Sequence, residues 1–71
     1  MEKYTIIREK QVELKTGLSR STIYSRIAEG TFPRQISLGG RAVGWIDKEI
    51  DAWIADKISS SRNQSTAVAQ H

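Results

Sequence analysis

The sequence predicts a small α+β domain: two short helices meeting at a tight turn, then a two-stranded hairpin and a covering helix. Three observations point there. TGLSRSTIY, residues 16–24, sets a glycine helix stop almost back to back with a serine helix start. RQISLGGRAVGWI, residues 34–46, holds two apolar-alternating runs about a glycine pair. Ile50, Trp53, Ile54 and Ile58 recur at i, i+3, i+4 and i+8, the apolar stripe of a helix.

The elements follow in order. Residues 1–7 carry Tyr4, Ile6 and Ile7, which suit an extended arm or a short strand. REKQVELK, residues 8–15, consists of good helix formers. Val12 and Leu14 cannot both centre one face, so the core side of this helix is left open. Gly17 supplies a left-handed stop, and Leu18 returns an apolar anchor. Ser19 is the expected cap of the second helix, its hydroxyl accepting from the N–H of Ser21 or Thr22. That helix should run through Glu29 and end at Gly30. Ile23 and Ile27 share one face and, with Leu18, form its buried stripe. Two short helices about a glycine turn make a helix-turn-helix.

Phe32-Pro33 cannot prolong a helix. In the hairpin a four-residue loop, GGRA, is expected, because it sets Leu38 against Val43 and Ile36 against Trp45. A Gly-Gly turn would set Leu38 against Arg41 instead. The longer loop leaves Arg41 at the tip, in water. Gly44 inside a strand signals a bulge or a close backbone approach. Asp47 is the expected cap of the last helix, with Glu49 in its first turn. Trp45 and Trp53 both fall on apolar stripes and belong to the core. From Ser59 the sequence SSSRNQSTAVAQH has too little apolar mass to offset its ordering entropy. The expected division is therefore a folded domain over 1–58 and a flexible polar tail over 59–71.

Composition narrows the function. The 71 residues allow one domain with a thin core. There is no cysteine, and the single histidine is His71, so neither a disulfide scaffold nor a zinc site is expected. No apolar run is long enough to cross a bilayer, and no leader pattern opens the chain. The expectation is a soluble cytoplasmic protein, complete from Met1. No nucleophile has a base in evident reach, and no phosphate-cradling glycine motif is present, so neither an enzyme nor a cofactor is expected. The net charge is +3, and its placement is uneven. Between Lys15 and Ile46 the bases are Lys15, Arg20, Arg26, Arg34 and Arg41, against Glu29 alone. Elsewhere acids outnumber bases. An anionic partner suits the middle segment.

The first two turns of the second helix offer Arg20, Ser21, Thr22, Tyr24, Ser25 and Arg26. Such a helix fits the DNA major groove, where arginine reads guanine edges and Ser or Thr bonds bases or phosphates. Lys15, Arg34 and Arg41 flank it and suit backbone or minor-groove contact. Plainer roles compete. Ser19 can be a cap alone, and Thr22 can serve the helix start. Tyr24 can be a core-edge ring with a wet hydroxyl. Arg26 can pair with Glu29 or Glu49, Arg34 with Asp47, and Arg41 can serve solubility.

The blocks TGLSRSTIY, EGTFP, LGGRAVGW and EIDAWI, in that order over about residues 7–58, resemble the AlpA-type phage and prophage regulators. These are small winged helix-turn-helix proteins related to excisionase and MerR DNA-binding domains. The resemblance implies a site-specific double-stranded-DNA-binding protein of mobile-element origin that activates or represses prophage genes. It makes SRSTIYSRI the recognition helix, with Arg20, Ser21, Thr22, Tyr24, Ser25 and Arg26 facing DNA and Ser19 at its start. It makes GGRA the wing, with Gly40 at the turn and Arg41 as its contact. Glu13 departs from the pattern, standing where the family often has an apolar residue. A chain this small covers little DNA, so a weak dimer or a cooperative array is expected, with integrase or RNA polymerase as further partners. Two rival readings stand beside this. One is an excisionase bending attachment-site DNA. The other is an interaction module whose basic helix binds an acidic protein.

Overall fold

The computed structural model describes the backbone of residues 3–67 and the side chains of residues 3–62. Strand β1 is Ile6–Ile7, helix α1 Glu9–Thr16 and helix α2 Arg20–Glu29. Strand β2 is Ile36–Gly39, strand β3 Ala42–Ile46 and helix α3 Asp47–Ala67. The N-terminal arm is thus a short strand. It pairs antiparallel with β3 through Ile6↔Ile46 and Ile7↔Trp45, so the sheet has three strands in the order β1-β3-β2. The architecture is that of a small winged helix-turn-helix.

Local chemistry sets both helix boundaries of the turn. At the start of α1 the Arg8 N–H donates to Gln11 Oε1 at 3.0 Å, and the Arg8 carbonyl accepts from Val12 N. The helix stops at Gly17, whose φ of 75° is the left-handed conformation that a side chain would strain. Val12 is fully buried whereas Leu14 is 84% exposed, which resolves the face left open by the sequence. At the head of α2 the Ser19 hydroxyl accepts from Thr22 N at 3.3 Å. Gly30 closes that helix, its N–H bonding back to Ile27 O.

The core is Ile7, Val12, Ile23, Phe32, Trp45 and Ile50, with Leu18, Tyr24, Ile27, Val43, Trp53 and Ile54 packed around it. Both indole N–H groups find backbone carbonyls. Trp45 donates to Pro33 O at 3.1 Å and Trp53 to Thr31 O at 2.8 Å. These bonds tie the loop between α2 and β2 to the central strand and to α3. They fix the direction in which the hairpin leaves the body.

Three expectations are corrected. The hairpin register is Ile36↔Gly44, Ser37↔Val43 and Gly39↔Ala42, with an irregularity between Ser37 and Gly39. The expected pairs Leu38–Val43 and Ile36–Trp45 do not form, and the tip is Gly40-Arg41 rather than all of GGRA. The physical reason is that β2 is an edge strand with little to bury. Leu38 remains 42% exposed at the irregularity, so matching it to Val43 gained nothing. Gly39 and Gly40, at φ 107° and 56°, reverse the chain in the shorter space. Second, Asp47 does not spend its carboxylate on capping. It takes the Lys15 ammonium, which also reaches Asp51 at 2.6 Å, and Asp47 N donates to Thr5 O. Lys15 is therefore a clamp between α1 and α3, not a flanking contact, and Arg34 does not pair with Asp47. Third, α3 does not end at Ile58 but runs to Ala67. Residues 59–62 are exposed, and no Gly or Pro interrupts the chain there, so helical hydrogen bonding continues without core burial. Residues 68–71 of the expected tail lie outside the described residues. Among the described residues no helix is long and apolar enough to cross a membrane.

Candidate nucleic-acid interface

The ten candidate residues fall into separate groups. Ser21, Thr22, Ser25 and Arg26 line an open face of α2 that ends at Glu29. Their spacing, i, i+1, i+4 and i+5, places them on one side of the helix, opposite the buried Ile23. For two turns this face carries hydroxyls and a guanidinium and no acid. Arg26 is half-buried and has no ion-pair partner among the described residues, neither Glu29 nor Glu49. The Ser19 hydroxyl, besides accepting from Thr22 N, donates to Thr22 Oγ1 at 3.0 Å. The cap and its neighbour are thus coupled, and Ser19 sits at the edge of the face.

Arg20 and Tyr24 turn the other way, into a cleft between α1, α2 and the hairpin, which Arg41 borders from the tip. Arg20 Nε lies 3.1 Å from Glu9 Oε2, yet its side chain is 72% exposed. Its guanidinium stands 5.7 Å from the centroid of the Tyr24 ring. That contact holds the Nε edge and one plane of the guanidinium. The two terminal amino groups, the fork that matches guanine O6 and N7, show no hydrogen bond among the described residues. Glu9 Oε2 is itself shut off from solvent and receives no well-directed hydrogen bond. Tyr24 packs edge-on to Trp45, ring centroids 6.2 Å apart. Burial, then the Glu9 carboxylate, push its hydroxyl above the ordinary tyrosine value, with Arg20 pulling the other way. The core-edge role of Tyr24 is thus its structural one.

Arg34 lines a third depression with Ile27, Gln35, Ser37 and Val43 at the hairpin base. Gly40 and Arg41 form the exposed tip. Arg34 and Arg41 have no ion-pair partner among the described residues. The structure also brings Arg8 and Lys10 to the wall of the cleft, which sequence reasoning did not place there. Both lie among Glu9 and Glu13 in the acid-balanced part of the chain, so charge counting along the sequence hides them. Only the packing of α1 against α2 reveals them.

Comparison with known proteins agrees with this geometry. Residues 5–58 match the family described as Prophage CP4-57 regulatory protein (AlpA). The chain belongs to the AlpA family. It is 46% identical over 56 residues to the uncharacterized protein ORF88 of Enterobacteria phage P4, covering 79% of this chain and 64% of that protein. It is 40% identical over 58 residues to the DNA-binding transcriptional activator AlpA of Escherichia coli (strain K12), covering 73% of this chain and 83% of that protein. The AlpA match takes in both helices of the turn, the hairpin and α3 as far as Ile58. The whole candidate interface therefore lies within the family's own span.

Proposed function

We propose that this AlpA-family chain binds double-stranded DNA sequence-specifically and regulates transcription of a prophage or similar mobile element. The observation that carries the reading is the outer face of α2, acid-free until Glu29 in its last turn, where Arg26 stands beside Ser21, Thr22 and Ser25 with no ion-pair partner among the described residues. A helix with that face enters the major groove, and the Gly40-Arg41 tip grips the backbone or the minor groove beside it. Arg20 supplies a second fork from the cleft side. Arg34 contributes charge at the hairpin base. Ser19 and Thr22 hold the helix start that approaches the phosphates. The activator named among the relatives supports this reading, as does the shared span.

Sites selected from random duplex DNA test it. A defined motif, bound more tightly than unrelated duplex at the same salt, is the expected outcome. Arg26→Ala should lose about 1–3 kcal/mol of that preference at one base position. A single copy covers little DNA, so cooperative occupancy or a weak dimer goes with this function. A motif upstream of a gene marks a regulator. Adjacent direct repeats with a large bend mark an excisionase. Equal binding to all duplexes overturns the specific reading, and binding only to an acidic protein replaces it.

A further inference from the structure

The cleft between α1, α2 and the hairpin is walled by Arg8, Lys10, Arg20 and Arg41 over the Tyr24 ring, with Glu9 as its one acid. Four cations converge there from three elements. Arg8, Lys10 and Arg41 have no ion-pair partner among the described residues, and only Arg20 meets Glu9. Such a concentration of like charge raises the local positive potential and attracts an anion. Uniform solvation does not explain why three separate segments aim their bases into one depression.

We propose that this cleft is a second DNA contact, a seat for the sugar-phosphate backbone in which Arg8 and Lys10 hold phosphates beside the strand read by α2. The inference rests on the DNA-binding reading and extends it to residues outside the recognition helix and the hairpin tip. The occupant is a nucleic-acid strand, because four cations from three segments share one depression, among them Arg20, a residue of the helix that enters the groove. Arg8 and Lys10 act here as point charges that set affinity and orientation and carry no base preference. Glu9, in the middle of the wall, keeps the Arg20 fork pointed outward and off the phosphates.

The variant R8Q/K10Q removes both charges and leaves a shorter, polar, uncharged side chain at each position. The Arg8 groups that start α1 are backbone atoms, so the fold does not depend on the side chain. Binding of the full chain to its selected duplex is measured across salt concentrations. Loss of two phosphate contacts should flatten the slope of log K against log salt by about 1.8. The ratio of affinities for selected and unrelated duplexes should stay the same. In ethylation interference, the phosphates that block the parent should include a pair whose effect disappears in the variant. A slope equal to the parent's, with the same interference pattern, overturns the proposal while leaving the recognition helix intact. A parent protein that binds no duplex overturns the underlying reading as well, and the two failures are distinct. If R8Q/K10Q loses its thermal transition, R8K/K10R provides the second test. It keeps both charges, and a slope equal to the parent's is then expected; a slope flattened by a full contact or more overturns the role as point charges.

Discussion

Replacing Gly44 by alanine puts the packing of the sheet to the test. A Cβ built on Gly44 would lie 2.6 Å from Ile6 Cγ2, and 3.1 Å from both Ile7 O and Leu38 Cδ1. Two effects compete. Gly44 does not have a positive φ, so alanine fits its backbone and should gain about 0.4–1 kcal/mol by restricting the unfolded chain. Against this stands overpacking, typically about 1–3 kcal/mol. The half-exposed Ile6 and Leu38 side chains can turn aside. The Ile7 carbonyl cannot, because it sits in the ladder that pairs Ile7 with Trp45. Overpacking should win, for a net loss of about 1–2 kcal/mol. At about 4–8 °C per kcal/mol for a domain this size, the melting temperature should fall by roughly 5–15 °C. Gly30→Ala is the comparison. Its site has open space but a φ of 80°, so it should lose only the strain of a left-handed residue, about 1–2 kcal/mol. Melting is followed by far-UV circular dichroism on both variants. A Gly44→Ala protein as stable as the parent, or more so, would refute the argument that β1 and β3 meet with no room for a methyl group.

Further outcomes follow from the same geometry. Ser19→Ala removes a long 3.3 Å cap bond and should cost toward the low end of about 0.5–2 kcal/mol by denaturant titration. Lys15 is raised by its bonds to Asp47 and Asp51, and Tyr24 by burial. Both groups hold their protons longer folded than unfolded. Their contributions are thus complete below about pH 10 and are lost as pH climbs from there through the raised values. Unfolding followed across this range should show falling stability, and the double variant K15M/Y24F should flatten the fall. Glu9→Gln removes the counter-ion of an exposed arginine, so its stability should change by less than about 1 kcal/mol. The same variant should bind unrelated duplex more tightly and discriminate less at the base read by Arg20, as read from paired binding isotherms.

Much of this was legible in the residues. Gly17, Ser19 and Gly30 fix their helix ends by backbone conformation and capping, which are local and need no tertiary information. Ile23, Trp45 and Ile50 announced themselves by periodicity. What failed was set by contacts between distant segments. Leu38 looked like a strand partner for Val43, but an edge strand with water on one side does not enforce apolar matching. Lys15 looked like part of a basic surface until α3 brought Asp47 and Asp51 to it. Arg8 and Lys10 looked like solvated charges beside acids. The extension of α3 to Ala67 leaves little mark in the sequence, because exposed polar helix needs only propensity and the absence of breakers, whereas apolar periodicity marks only what a helix buries. The placing of Arg26 on the outer face of α2 and of Arg20 in the cleft follows from a 100° step per residue combined with the position of the hairpin.

The most direct measurement is the affinity of R20A/R26A for the selected duplex relative to unrelated duplex, at one salt concentration and with folding verified. Removing two guanidinium forks that read base edges should shrink the parent's preference by at least about 30-fold, while affinity for unrelated DNA falls far less. A folded double variant that keeps its preference within twofold would contradict the claim that α2 presents these arginines to the bases.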